Sequence, residues 1–370
     1  MDKKEGVLLV TSNGVGLGHL SRVMAVAQQL KDDFEPVIFT LSSAISIPIS
    51  QGFRTEYLRS HDAPLLDAKN WQTLLERRLN YLNSIYSPSL ILFDGTYPYA
   101  GLVRFLLQQK HLKKVWLRRG MWRQGIGGDA IKLEQFFDLV IEPGDYASDY
   151  DTGATSTSSI VAKRVSPIIF APVSLTREAA REELEIKPHD TAALVQLGVG
   201  KVNDVPALIH AVTDELTNRG ISTYVAVSVL SDIPKFDHPK VRIIQRFPVS
   251  KYFSAFDFGL FPSGYNSFHE ALSLELPAIF VPNAHTKLDD QTSRSKWAVD
   301  QSLAFEWTSG EADSLAPLIE QMISDKTRSE MKSKMSLLSA PTGAFEVANI
   351  MSAAFRGSKE PTNKGVQNPF

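Results

Sequence analysis

The chain has 370 residues, 43% of them hydrophobic and 22% charged, with a formal net charge of -2 and no cysteine. That length exceeds one ordinary core and calls for two domains. The charge balance excludes a general nucleic-acid binder, and the lack of thiols excludes disulfides, thiolate nucleophiles and thiolate zinc sites.

Short β-branched runs alternate with helical patterns from end to end, the mark of a parallel α/β chain. In the first half, strands are predicted over residues 6–11, 36–41, 90–93, 114–117 and 139–141, and helices over 20–31, 71–86 and 99–109. Leu20, Val23, Met24, Ala27 and Leu30 are spaced to build one apolar helix face. A second cycle places strands over 192–197, 223–228, 241–244, 258–261 and 278–281, with a helix after Asn203 and another from Ser267. Between the cycles, residues 151–159 read as a Ser/Thr/Gly loop. Ser166-Pro167-Ile168-Ile169-Phe170-Ala171-Pro172 reads as an extended crossover, because each proline biases its predecessor away from helix. Domains over 1–168 and 169–356 follow, with 357–370 as a disordered tail. The N-terminus has no signal-peptide pattern and no run is long and apolar enough to span a bilayer, so a soluble, cytoplasmic protein is expected.

After the first strand comes Ser12-Asn13-Gly14-Val15-Gly16-Leu17-Gly18-His19, glycines opening a helix where backbone N–H groups can approach an anionic or hydroxyl-rich ligand. The dinucleotide fingerprint fails, since His19 stands where its last glycine belongs, and no phosphate-loop Gly-Lys-Ser/Thr occurs. His19 either starts the helix by local hydrogen bonding or serves as a base, kept neutral by the helix dipole. Further along, Ser263-Gly264-Tyr265-Asn266-Ser267-Phe268-His269-Glu270 contains the capping-box spacing Ser267-x-x-Glu270. The same residues, just after a strand and a Ser-Gly turn, also suit a diphosphate site. The strand 278–281 is framed by prolines and followed by Asn283, His285, Asp289, Asp290 and Gln291, a polar cluster at a strand's C-terminal end.

These segments together resemble the GT-B glycosyltransferases, most closely the MurG-type N-acetylglucosaminyltransferases and the UDP-glycosyltransferases. The resemblance is specific at the glycine loop and over residues 241–303. It implies an α/β fold of two Rossmann-like doubly wound domains facing a central cleft. It also implies a nucleotide sugar, UDP-linked by the likeness, as donor, and a glycan, lipid-linked or protein acceptor. Glu270 would accept the ribose hydroxyls, while Ser263, Gly264, Asn266 and Ser267 would hold the diphosphate, with Gly198 flanking it. Arg246 and Phe247 would contact the base through main chain, and Asp290 and Gln291 would read the donor sugar. His19 would deprotonate the acceptor beside Gly16 and Gly18, with Asp94 orienting it or binding acceptor.

Retaining relatives pair two glutamates separated by seven intervening residues, but Pro262 and Ala278 occupy those positions on either side of Glu270, which favours inversion. No metal or other cofactor is expected, since helix N-termini can stabilise a leaving diphosphate. Asp149-Tyr150-Asp151 matches the letters of a metal-binding Asp-x-Asp beside a loop. No acidic residue lies between Asp94 and Asp129, while Arg118, Arg119 and Arg123 do. They read either as a solvated surface or, with Trp122, as a cleft-facing site for an acidic acceptor or an anionic membrane. The stripe Leu74, Leu75, Leu79, Leu82 and Ile85 reads as core or as a membrane-docking face. A sugar-nucleotide epimerase or hydrolase, and a non-catalytic homologue, stand as alternatives to a transferase.

Overall fold

The computed structural model describes residues 4–12, 17–60, 66–158, 160–171, 173–198, 205–230, 233–236, 238–308 and 314–359. The first sheet is built from β1 (Glu5–Thr11), β2 (Phe34–Thr40), β3 (Arg54–Tyr57), β4 (Pro88–Asp94), β5 (Lys113–Leu117), β6 (Leu139–Pro143) and β7 (Lys163–Val165). Its seven strands run in the order β3-β2-β1-β4-β5-β6-β7. The second sheet, from β8 (Ala192–Val195), β9 (Ser222–Ala226), β10 (Val241–Ile244), β11 (Phe258–Phe261), β12 (Ala278–Phe280) and β13 (Ala304–Glu306), runs β10-β9-β8-β11-β12-β13. The strand pairs are parallel in both sheets. Central strands buried on both faces explain their unbroken apolar runs, such as Leu90, Ile91, Leu92 and Phe93.

The helices are α1 (Gly18–Leu30), α2 (Ser46–Ser50), α3 (Ala68–Tyr86), α4 (Ala100–Gln108), α5 (Gly128–Ile131), α6 (Arg177–Glu183), α7 (Val205–Asn218), α8 (Tyr265–Ser273), α9 (Gln291–Asp300), α10 (Leu315–Ile323), α11 (Asp325–Met335) and α12 (Gly343–Lys359). The apolar residues of α1 lie flat on the first sheet, with Leu20, Val23, Met24, Ala27 and Leu30 all buried. On α3, Trp71, Leu75, Leu79 and Leu82 are core, while Leu74 and Ile85 remain exposed.

Each sheet reverses its strand order at one place, between β1 and β4 and between β8 and β11. Loops leaving the strands' C-terminal ends diverge there and leave a crevice. The register sets Thr11 of β1 beside Asp94 of β4, which brings the start of α1 next to the end of β4.

The last helix departs from the expected division of the chain. After the second domain, α12 returns to the first, where Ala344, Val347, Ala348 and Met351 join the core formed by α1, Leu9 and Phe34. Phe355 meets Phe34 edge-on at 5.4 Å. The two crossovers touch: Ile168 bridges Thr342 in antiparallel fashion, and Gly343 N–H donates to Pro167 O at 3.1 Å. Gly343 lies so close that a Cβ there would sit 1.9 Å from Ser166 O. Residues 357–359, assigned by sequence to the tail, end this helix, and the rest of the tail lies outside the described residues.

Candidate active site

On the first domain, His19 occupies the opening turn of α1, whose N-terminus has no side-chain cap. Its Nδ1 lies 2.6 Å from Asp94 Oδ1. One turn on, Arg22 grips the same carboxylate in a bidentate fashion, Nε to Oδ2 at 2.9 Å and Nη2 to Oδ1 at 2.7 Å. Burial works against a charge on Asp94, but Arg22 and His19 outweigh it and hold its pKa below the usual value. Arg22 Nη2 also lies 2.8 Å from His19 Nδ1, so Nδ1 either donates to the carboxylate, leaving the lone pair on Nε2, or accepts from Arg22, according to the tautomer. Burial lowers the pKa of His19, Asp94 pulls it the other way, and Arg22 and Arg119 add to the lowering. The imidazole is therefore neutral at neutral pH, as a base must be. Gly16 lies outside the described residues.

On the second domain, α8 begins at Tyr265 with Gly264 as its cap. The capping box expected at Ser267 and Glu270 is therefore absent: Ser267 already lies inside the first turn. Ser263 cannot cap either, because its hydroxyl donates to Gln291 O at 2.8 Å. The N–H groups opening α8 are thus free of side-chain caps. Glu270 is 9% exposed, and its carboxylate has no hydrogen bond or ion pair among the described residues. Burial alone pushes its pKa up to about 8. Gly198 leaves β8 with φ +83 and open space where a Cβ would be. The rest of that loop lies outside the described residues.

The side chains of Asp290, Gln291, Arg246 and Phe247, also expected at the donor, have protein partners. Asp290 caps α9 by accepting from Ser293 N at 3.0 Å and Ser293 Oγ at 2.8 Å. Gln291 accepts from Asn283 N at 3.1 Å and donates to Asp289 at 3.4 Å. The Arg246 side chain is taken by Glu183 and by Tyr252 Oη. Phe247 stacks on Phe170 at 5.9 Å.

The two helix N-termini meet across the cleft. Arg22 Nη1 reaches Asn266 Oδ1 at 3.3 Å, and a Cβ on Gly18 would lie 3.5 Å from that oxygen. Around Tyr265 stand three guanidinium groups, Arg22, Arg119 and Arg294, at 5.2, 5.8 and 5.9 Å from its ring centre. Its hydroxyl accepts from Ile168 N at 3.0 Å and donates to Gly144 O at 2.9 Å, both on the first-domain side of the crossover. Arg294, fully buried, spans the domains by donating to Asp145 and Asp289, each at 2.7 Å. Burial opposes its charge, but the two aspartates outweigh that and hold it more firmly protonated. His269 is closed off: Nδ1 faces Tyr265 O at 2.6 Å and Nε2 accepts from Tyr146 N at 3.2 Å. Burial lowers its pKa to about 4, so it is a neutral packing group.

The basic segment differs from the expectation of an exposed site. Arg118 is 1% exposed, held by Glu134 and Glu142, each at 3.0 Å. Trp122 is 2% exposed beneath Arg118. A charge without acids nearby in sequence would stay solvated; here Glu134 and Glu142 supply the pairing that lets it be buried. The segment forms an interdomain seam rather than a free membrane-facing surface. Asp290 N donates to Met121 O at 2.9 Å, Arg123 N donates to Leu288 O at 2.8 Å, and the Arg123 guanidinium meets Ala284 O. Of the four residues expected there, Arg118, Arg119, Trp122 and Arg123, it is Arg119 that faces the cleft, 3.3 Å from Asp289. A cavity of about 420 Å³ lies behind Gly120 and Met121, against the crossovers at Pro167 and Glu346.

Asp151 of the Asp-x-Asp match is spent on Met121 N and Gly153 N, both at 2.9 Å. No group of three metal-ligating side chains occurs among the described residues, and none of their helices is long and apolar enough to cross a membrane.

No protein-family model matches the chain, nor does any curated protein. Solved structures do. The spinosyn forosaminyltransferase SpnP superposes at TM-score 0.67 with 10% identity, over 96% of this chain and all of the other, 100%. The spinosyn rhamnosyltransferase SpnG, complexed with thymidine diphosphate, superposes at 0.62 with 14% identity, over 93% and 99%. The MurG of Acinetobacter baumannii superposes at 0.60 with 15% identity, over 94% and 99%. The chain has the GT-B fold.

Proposed function

We propose that the protein is an inverting, metal-independent glycosyltransferase that moves a sugar from a nucleotide donor, UDP-linked by preference, to a hydroxyl acceptor. One observation carries this reading: a neutral, Asp94-backed His19 faces the uncapped N-terminus of α8 across one cleft, with a buried, unpaired Glu270 on the same helix. The carboxylate of Glu270 supplies the two acceptor oxygens that a ribose diol needs. The N-terminus of α8 receives the diphosphate. His19 Nε2 takes the proton from the acceptor hydroxyl as its oxygen attacks the anomeric carbon. The C–O bond to the diphosphate breaks, and its electron pair leaves on the phosphate oxygen. Asp94 fixes the tautomer of His19 and stabilises the imidazolium that forms. Arg22, which locks Asp94, is a positioning residue.

The likeness to SpnG, which was crystallised with thymidine diphosphate, makes that nucleotide the second to try. The test is a thermal-shift screen of UDP, dTDP and GDP with their sugars, followed by acceptor profiling on the tightest donor. Nucleotide release that depends on added acceptor is the expected result. Product formed from the donor alone would replace this reading by an epimerase or hydrolase.

A further inference from the structure

We propose that Arg119, carried by the first domain, is a donor-binding residue that clasps the diphosphate, and that Asp289 holds its place until donor arrives. The inference rests on the donor site proposed above. Three observations converge on it. Arg119 stands 5.8 Å from the ring of Tyr265, so its guanidinium lies against the side chain of the residue that opens α8. Its contact with Asp289 is single and long, 3.3 Å, and its Nε is buried with no partner. Asp289 does not need Arg119, since Arg294 already holds the same oxygen at 2.7 Å.

The local charges fit an exchange of anions. Arg22 is committed to Asp94, and Arg294 to Asp145 and Asp289. Arg119 Nε and Arg294 Nη2 both lack a partner among the described residues, but Arg294 is anchored by two contacts of 2.7 Å whereas Arg119 has a single long one. A carboxylate placed against two guanidinium groups and the Gln291 amide is what a phosphate would replace. Donor entry then exchanges Asp289 for phosphate oxygens on Arg119. The guanidinium then balances the charge that builds on the diphosphate as the anomeric C–O bond breaks. Because Arg119 belongs to one domain and α8 to the other, the diphosphate ties the two halves together at the moment of reaction.

Binding of UDP and of uridine to the wild type, Arg119→Ala, Arg119→Lys and Asp289→Asn separates the outcomes. Arg119→Ala should weaken UDP about 10- to 100-fold, the value of a charge-assisted contact, and leave uridine within about twofold. Millimolar guanidine should restore part of the loss. Arg119→Lys should fall between, and Asp289→Asn should tighten UDP by freeing Arg119. Equal losses for UDP and uridine in Arg119→Ala, or a loss of UDP in Asp289→Asn as large as in Arg119→Ala, would make Arg119 a structural latch and overturn the proposal. Should Arg119→Ala not fold, Arg119→Lys and Asp289→Asn make the same comparison. A wild type that binds no nucleoside diphosphate refutes the donor site itself, a different result from one that binds UDP with no dependence on Arg119.

Discussion

Replacing Glu270 by glutamine should stabilise the empty protein and weaken its hold on nucleotide. Burial lifts the carboxyl from 4.5 to about 8, with no charge or hydrogen bond offsetting it. The folded state therefore holds a proton that the unfolded chain has released, and stability falls as pH rises from about 4.5 to 8. Each tenfold in proton affinity is about 1.4 kcal/mol, so the ceiling on the loss at pH 8.5 is about 5 kcal/mol. Water drawn toward the charge would reduce it to roughly 2–4 kcal/mol. Glu270→Gln has no such titration. Thermal unfolding should show the variant roughly 5–10 °C more stable at pH 8.5, at a few degrees per kcal/mol, and level with wild type at pH 5. Isothermal titration with UDP should show binding weakened about 10-fold or more, because an amide offers one acceptor oxygen where the diol needs two. A stability difference that is the same at both pH values would refute a buried, unpaired carboxyl. Unchanged UDP affinity would refute its contact with ribose.

His19→Ala should lower turnover by at least about 100-fold while leaving UDP affinity unchanged, measured by nucleotide release and by titration. In the wild type, kcat should rise with pH below the ordinary histidine value and stay flat above it, since the base form persists to lower pH. A profile that climbs through pH 7 to 8 would contradict a lowered pKa. Tyr265→Phe removes a hydroxyl that serves both Ile168 N and Gly144 O and should cost about 1–3 kcal/mol in chemical denaturation. Gly343→Val must push Ser166 aside and should destabilise the protein by more than about 2 kcal/mol, read the same way.

Strand positions were legible because parallel strands buried on both faces leave continuous apolar runs; residues 241–244 and 258–261 match β10 and β11 to the residue. The positions of the strand-end candidates were legible too, since Asp94 ends β4 and His19 and Glu270 follow β1 and β11, beside glycine or serine turns. What failed depends on partners distant in sequence. Ser267 looked like a cap from its spacing to Glu270, but α8 already starts at Tyr265, and the diversion of Ser263 to Gln291 O, 28 positions away, leaves no local signal. Arg118 looked exposed because Glu134 and Glu142 lie beyond the local window. Arg294 and Asp145 stand 149 positions apart and leave no local signal. Arg22 could have been found, since a residue three places after His19 shares its helix face. Short segments such as β7 and β13, three residues each, offer too few positions for a period to show.

The return of α12 makes completion of the first domain wait for the end of the chain. As the polypeptide emerges, the first domain has all seven strands but not the helix that covers α1, so Leu20, Val23, Met24 and Phe34 lie beside a bare apolar face. That face closes only after the second domain has left the ribosome. A fragment ending at the crossover should accordingly be insoluble alone and rescued by a peptide spanning 343–359, whereas residues 169–342 hold a core of their own. The second domain is in effect an insertion into the first, and the two strands of chain joined at Ile168 and Thr342 are the neck of that insertion.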